Sequence, residues 1–254
     1  MAEGAIVFGF HAVTARLKHS PESVKEVLID ERRGDPRLKR LLELAAGQGV
    51  SVQPTPSHRL DGFVKGARHQ GVIALVSPVS RARDLEDVLD QAGAAPLLLV
   101  LDGVQDPHNL GACLRVADAF GANAVVAPKD RAVGLTPTVE KVASGAAETT
   151  PYIMVTNLAR SLRTLQEAGL WVIGTAQDAP SGIGDCNLKQ GVALVLGAEG
   201  QGMRRLTTET CDQLAAIPMV GTVESLNVSV AAGICLYEAR RQRDAGISGV
   251  AVSP

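Results

Sequence analysis

Five strand-length apolar runs alternate with helical patterns from Leu97 onward, and this alternation limits the possible fold more than any other feature of the chain. The runs lie at 97–101, 122–127, 170–174, 192–196 and 214–217. Between and after them, apolar residues recur at helical spacing over about 109–120, 137–144, 157–168 and 225–243. The pattern predicts an α/β fold, a mainly parallel sheet covered by helices on both faces. Ligands of such folds sit beyond the carboxyl ends of the strands. The residues that follow each run are therefore the candidates for chemistry.

The first segment reads as a separate small α/β unit. Helical spacing is found at 10–18, 36–46 and 57–65, and strand-like runs at 24–29, 50–52 and 71–76. Residues 77–94 contain Pro78, Ser80, Arg81, Arg83 and a short amphipathic turn. They are the expected linker, which places the domains at 1–76 and 95–254. Residues 1–76 hold 11 Lys and Arg against 8 Asp and Glu, while the remainder holds 14 against 19. Four of the five histidines also lie in the first segment. A basic segment beside an acidic one fits a polyanion-binding module attached to a catalytic domain; a solvated surface explains the asymmetry as well. His11, Arg59, Lys65, Arg68 and His69 form a candidate RNA face as a group, although each alone reads as a solvated charge.

Aromatics make up only 3% of the chain, so the core must be built from Val, Leu, Ile and Ala. The apolar runs are too short to span a membrane, and no secretory signal pattern is visible. The expected location is the cytoplasm. Cys113, Cys186, Cys211 and Cys235 are scattered, without a CxxC pair, so free thiols and no metal site are expected.

Three stretches mix apolar, glycine and small polar residues: 101–115, 194–205 and 217–233. In the last, Pro218 and Gly221 break an apolar run, and Ser225, Asn227 and Ser229 precede a helical pattern. Ser225 is the expected N-cap of a helix from about 226 to 243. The middle stretch, Gly197-Ala-Glu-Gly-Gln-Gly202, follows a strand as a nucleotide loop would. Its G-x-x-G-x-G spacing is not the dinucleotide fingerprint, and Met203-Arg204 stand where a P-loop needs Lys and Ser or Thr. A tight turn is the bland reading. Glu199, a carboxylate set among three glycines at a strand end, favours a binding loop.

Taken in order, these stretches resemble the three signature motifs of the SpoU-type branch of the SPOUT RNA methyltransferases. The motifs match at Asp106-Pro-His-Asn-Leu-Gly-Ala-Cys-Leu-Arg115, at Leu196-Gly-Ala-Glu-Gly-Gln-Gly-Met203, and at Ile217-Pro-Met-Val-Gly221 with Ser225-Leu-Asn-Val-Ser-Val-Ala231. The likeness extends to Gly9-Phe-His-Ala-Val13 and His69-Gln-Gly-Val-Ile-Ala74, where it is similar to members acting on a guanosine ribose in the P-loop of 23S ribosomal RNA. The resemblance implies a deep C-terminal trefoil knot and an N-terminal domain like a small ribosomal protein. It also implies a homodimer, S-adenosylmethionine as methyl donor, and 23S rRNA or a large-subunit precursor as partner.

The implied reaction is methyl transfer to a ribose 2′-hydroxyl, with no metal required. Arg115 is the expected key residue; in the family the matching arginine is proposed to take the hydroxyl proton. A guanidinium normally stays charged, so Arg115 acts either as a base made unusual by its surroundings or as a cation stabilising the alkoxide and a phosphate. Asn109 can position Arg115 or the ribose, or simply cap its helix. Glu199 can orient the substrate or pair with Arg115, and Ser225 and Asn227 can bind the donor or the arginine. The donor pocket is expected from Thr175, Leu196, Gly197, Gly202, Ile217, Met219, Ser225 and Leu226. Other readings are a tRNA 2′-O-methyltransferase, a non-catalytic RNA-binding assembly factor, and a nicotinamide oxidoreductase. The glycine spacing counts against the last.

Overall fold

The computed structural model describes residues 5–64, 69–77 and 84–245. It divides into two compact units, Met1–Arg81 with Ser144–Thr149, and Ala82–Ala143 with Thr150–Pro254.

The first unit is built on a four-stranded sheet in the order β1-β4-β2-β3, formed by β1 (Ala5–Phe8), β2 (Val24–Asp30), β3 (Val52–Thr55) and β4 (Val72–Val76). Only β2 and β3 pair in parallel. The period of two sorts β4 cleanly. Val72, Ala74 and Val76 join one core with Val13 and Leu17 of α1 (Phe10–His19) and Leu38 and Leu41 of α2 (Pro36–Gly47). Ile73 faces the other way, against Leu60 and Val64 of α3 (Ser57–Val64).

The second unit has six parallel strands in the order β10-β8-β9-β5-β6-β7. They are β5 (Leu97–Asp102), β6 (Ala124–Pro128), β7 (Tyr152–Val155), β8 (Trp171–Thr175), β9 (Val192–Gly197) and β10 (Gln213–Ala215). Every residue of β5 is buried, as expected for a strand covered on both faces. Leu98 and Val100 share a core with Leu158, Leu162 and Leu165 of α8 (Leu158–Glu167). The same core takes Leu85 and Val88 of α4 (Leu85–Gln91), so the stretch expected as linker contains a packed helix.

Helices α5 (Pro107–Ala119) and α10 (Val228–Asp244) pack against each other, and α5 also lies against α6 (Pro137–Ala143). Contact with α6 is close at Gly111, where an added Cβ would sit 2.7 Å from Cβ of Val142. The short α-helix α7 (Ala146–Thr149) belongs to the first unit, and α9 (Arg205–Thr210) to the second. Near the end of α10, the Arg243 guanidinium donates to the carbonyls of Ala95, Pro96, Leu188 and Gln190, just ahead of β5 and β9. One side chain thus fixes the end of α10 to the entry of the two central strands.

Cys113 on α5 and Cys235 on α10 are free and buried, and burial pushes both thiols up to about 12 from an ordinary 9.0. Above that ordinary value the unfolded chain releases these protons while the folded chain retains them. The thiols therefore leave stability untouched at neutral pH and lower it as pH rises from about 9 towards 12, by roughly 1.4 kcal/mol per thiol per pH unit. Melting should drop from pH 8 to pH 10.5, and the drop should shrink in a Cys113→Ala, Cys235→Ala variant. An equal drop in that variant would exonerate the thiols.

Candidate active site

The two central strands end side by side, with Asp102 of β5 in register with Gly197 of β9. Both chains turn there, and the loop after β9 folds back sharply. Gly202 N–H donates to the carbonyl of Ala198 at 2.9 Å, and the two residues form an isolated antiparallel bridge. Gly200 and Gly202 take left-handed backbone angles of 75° and 64°, a conformation glycine adopts without penalty. Gly197 is needed for a different reason. A Cβ on it would lie 2.0 Å from the Gly202 carbonyl carbon and 2.2 Å from the Met203 nitrogen.

Asp102 clasps this loop. Its side chain is fully buried and accepts from Arg204 three times: from the backbone N–H at 2.9 Å, from Nε at 2.6 Å and from a terminal guanidinium nitrogen at 2.6 Å. A buried carboxylate is tolerated only when its charge is answered in this way. Sequence reading singled out neither residue. An acid closing an all-apolar strand was a usable signal for Asp102, but its partner lies 102 positions away.

Two cavities open around the folded-back loop. The first, about 410 Å3, is lined by Thr175, Leu196, Gly197, Gly202, Ile217, Met219, Ser225 and Leu226 among others. All eight residues expected at the donor pocket thus meet in one place. Ala176, Gln177, Gly200, Thr208, Glu224 and Ala231 also line it and were not anticipated. The second cavity, about 430 Å3, is lined by Asp102, Asp106, Asn109, Arg131 and Arg204 among others. Ala198, Glu199, Gly202, Met203 and Val228 line both.

Asn227 joins the polar groups along this shared wall. Its Nδ2 donates to Asn109 Oδ1 at 2.9 Å and to Glu199 Oε2 at 3.3 Å. Its Oδ1 accepts from Ser229 N–H at 2.9 Å and Ser229 Oγ at 2.7 Å. Asn227, not Ser225, is therefore the N-cap of α10, because its oxygen reaches the second helical N–H. Ser225 lies two residues earlier and faces the first cavity. The N-cap of α5 likewise moves from Asn109 to Asp106, which accepts from His108 and Asn109 N–H with Pro107 at the first helical position. That shift frees the Asn109 side chain for Asn227.

Arg115 lies apart from this network. It is exposed on α5, lines neither cavity, and its side chain makes no hydrogen bond or ion pair among the described residues. The Glu199 carboxylate accepts from Asn227 rather than pairing with Arg115. Thr175 Oγ1 donates to the Val195 carbonyl at 3.2 Å, which ties β8 to β9 below the first cavity.

Of the expected RNA face, His11 and Arg59 are exposed on α1 and α3. His69 is nearly buried, at 9% exposure, with Nε2 at 2.9 Å from Asp61 and Nδ1 accepting from Gly71 N–H. It braces the turn into β4. Lys65 and Arg68 lie outside the described residues. No group of three or more His, Cys, Asp or Glu that could hold a metal occurs among the described residues. No described helix is long and apolar enough to cross a membrane.

Similarity to known proteins covers nearly the whole chain. The profile of the SpoU rRNA Methylase family matches residues 96–237, and that of RNA 2′-O ribose methyltransferase substrate binding matches residues 6–82. The 23S rRNA (guanosine-2′-O-)-methyltransferase RlmB of Ralstonia nicotianae is 58% identical over 243 residues, 96% of this chain and 98% of that one. Its counterpart in Neisseria meningitidis serogroup B is 55% identical, covering 96% and 97%. Among solved structures, the SpoU methyltransferase AviRb of Streptomyces viridochromogenes in complex with the cofactor AdoMet gives a TM-score of 0.69 at 25% identity. That match covers 98% of this chain and 92% of that one.

Proposed function

The chain belongs to the SpoU rRNA methylase family, and from that premise we propose that it transfers the methyl group of S-adenosylmethionine to the ribose 2′-hydroxyl of a guanosine in 23S rRNA. The observation that carries this reading is the pair of cavities sharing a wall at Glu199. One cavity suits the donor, and its neighbour presents Asn109 and Glu199 to an acceptor.

The first cavity fits the donor by size and chemistry. Its volume lies within the range of small-ligand sites, roughly 300–1,000 Å3. Leu196, Ile217, Met219 and Leu226 offer an apolar slot for an adenine, and the bare backbone at Gly197 allows close approach. When bound there, the donor supplies an electrophilic sulfonium methyl. Asn227 holds the Glu199 carboxylate and the Asn109 amide in fixed positions, so both are set before substrate arrives. Glu199 orients the ribose through its free carboxylate oxygen, and Asn109 supports it from the second cavity. From its exposed position on α5, outside both cavities, Arg115 acts on the developing alkoxide once the RNA is seated. Transfer of the methyl to the ribose oxygen would leave the donor as a neutral thioether and release the hydroxyl proton to solvent.

The same proposal includes the trefoil knot, cytoplasmic location and a homodimer. A dimer is supported by Val230, Ile234 and Tyr237, which are 36–56% exposed and spaced along one face of α10. The first unit, within the substrate-binding match, is the RNA-holding part, with His11 and Arg59 among its contacts.

Labelled methyl transfer from S-adenosylmethionine to unmethylated 23S rRNA, with tRNA alongside, tests the reading. Label should enter 23S rRNA, and Arg115→Ala should lower the rate by at least about 10²-fold while donor binding persists. Label confined to tRNA would move the substrate, and no transfer with either RNA would sink the enzyme reading.

The Asp102–Arg204 clasp has its own expected effect. Asp102→Asn keeps the size but removes the charge, so the loop behind Gly197 loosens. The Kd for S-adenosylhomocysteine should rise about tenfold, ~1.4 kcal/mol by calorimetry. An unchanged Kd would show that the loop keeps its shape without the clasp.

A further inference from the structure

Ribose methylation requires the RNA backbone to be held beside the reacting hydroxyl, and phosphate is held best by a guanidinium with no other partner. Among the described residues, no lysine or arginine lines the first cavity, and two arginines line the second. Arg204 is committed to Asp102. Arg131 is exposed and makes no hydrogen bond or ion pair among the described residues.

Three carboxylates line the same cavity, and each has a partner other than Arg131. Asp102 is answered by Arg204, Asp106 caps α5, and Glu199 accepts from Asn227. None of them neutralises Arg131.

Arg131 is also presented by a braced loop, between β6 and α6. Lys129 N–H donates to the Val155 carbonyl at 2.8 Å. Val133 N–H donates to the Val104 carbonyl at 3.1 Å, and the Val133 carbonyl accepts from Tyr152 Oη at 2.7 Å. Between these anchors Arg131 takes a left-handed backbone angle, φ 59°, which is uncommon for a side chain of this size. The anchors hold that conformation and leave the guanidinium at the cavity that Asn109 and Glu199 also line.

We infer that Arg131 grips the phosphate flanking the target ribose and so aims its 2′-hydroxyl at the donor cavity. The inference rests on the methyltransferase reading. It assigns Arg131 to RNA binding at the reaction centre and gives it no part in holding the donor.

The test uses the full chain with Arg131→Gly and Arg131→Lys. Glycine accepts the left-handed backbone, so it removes the side chain without straining the loop. With a 23S rRNA fragment, kcat/KM of Arg131→Gly should fall roughly 10²-fold, the weight of a charged hydrogen-bonded contact. The slope of log(kcat/KM) against log salt should flatten by about 0.7, one phosphate contact on single-stranded RNA. The Kd for S-adenosylhomocysteine should stay within about twofold, and Arg131→Lys should recover part of the rate as a point charge. A wild-type rate and slope in Arg131→Gly would overturn this inference alone. So would a rate loss with an unchanged salt slope, or with donor affinity lost in parallel. A wild type that transfers no methyl would overturn it together with the methyltransferase reading.

Discussion

Replacing Gly197 with alanine is expected to weaken donor binding at least about 100-fold. The three atoms nearest the added Cβ would all be backbone, at 2.0 Å for the Gly202 carbonyl carbon, 2.2 Å for the Met203 nitrogen and 2.4 Å for the Gly202 oxygen. No rotamer change can relieve such contacts, so the loop must move away from β9. That movement takes with it the wall shared by both cavities. Overpacking of this severity should cost about 3 kcal/mol in stability and raise the Kd for S-adenosylhomocysteine at least about 100-fold, some 2.7 kcal/mol. Gly200→Ala is the graded comparison. Nothing lies within 4 Å of a Cβ there, and only the positive φ of 75° opposes it. It should lose about 1 kcal/mol and retain binding. Calorimetry on both variants separates steric closure from backbone strain; tight binding by Gly197→Ala would show that the loop can open without loss.

Asn227 carries two jobs that can be pulled apart. Its Oδ1 caps α10 through Ser229, and its Nδ2 holds Asn109 and Glu199. Asn227→Ala removes both, with about 1 kcal/mol of helix stability lost and a rate loss of roughly 10²–10³-fold, as for other pre-placed polar groups. Asn227→Asp keeps the capping oxygen and replaces the donor with a charge facing Glu199. It should melt close to wild type while losing the rate as fully as alanine does. Equal activity in Asn227→Asp and wild type would remove Asn227 from the chemistry and leave it a helix cap.

Much of this site could be read in the sequence because its parts are local. Strand ends at Leu196 and Thr175, the glycines after β9 and the polar run before α10 each announce themselves over a few residues. Assembly is non-local, and that part was hidden. β9 lies between β5 and β8, and nothing in the periodicity of residues 192–196 dictates that neighbour. Short edge strands escaped too. β1 has four residues, and β7 is Tyr152-Ile-Met-Val, too brief for a period to show. The amphipathic turn in the supposed linker was α4, whose buried Leu85 and Val88 are too few to announce a helix by spacing. Capping was misplaced by two or three residues at α5 and α10 because several Asx and Ser side chains competed, and geometry alone selects the one whose oxygen reaches the free N–H groups. Asp106-Pro107 was the better signal for α5, since proline suits the first helical position.

Nucleoside analysis of the methylated RNA tests the central claim most directly. After reaction of the wild-type protein with unmethylated 23S rRNA and labelled S-adenosylmethionine, the RNA is digested and the label is identified. The account predicts 2′-O-methylguanosine, recovered from alkali as an uncleaved dinucleotide because the blocked hydroxyl cannot attack its phosphate. Label on a base, with every ribose still open to alkali, would contradict it.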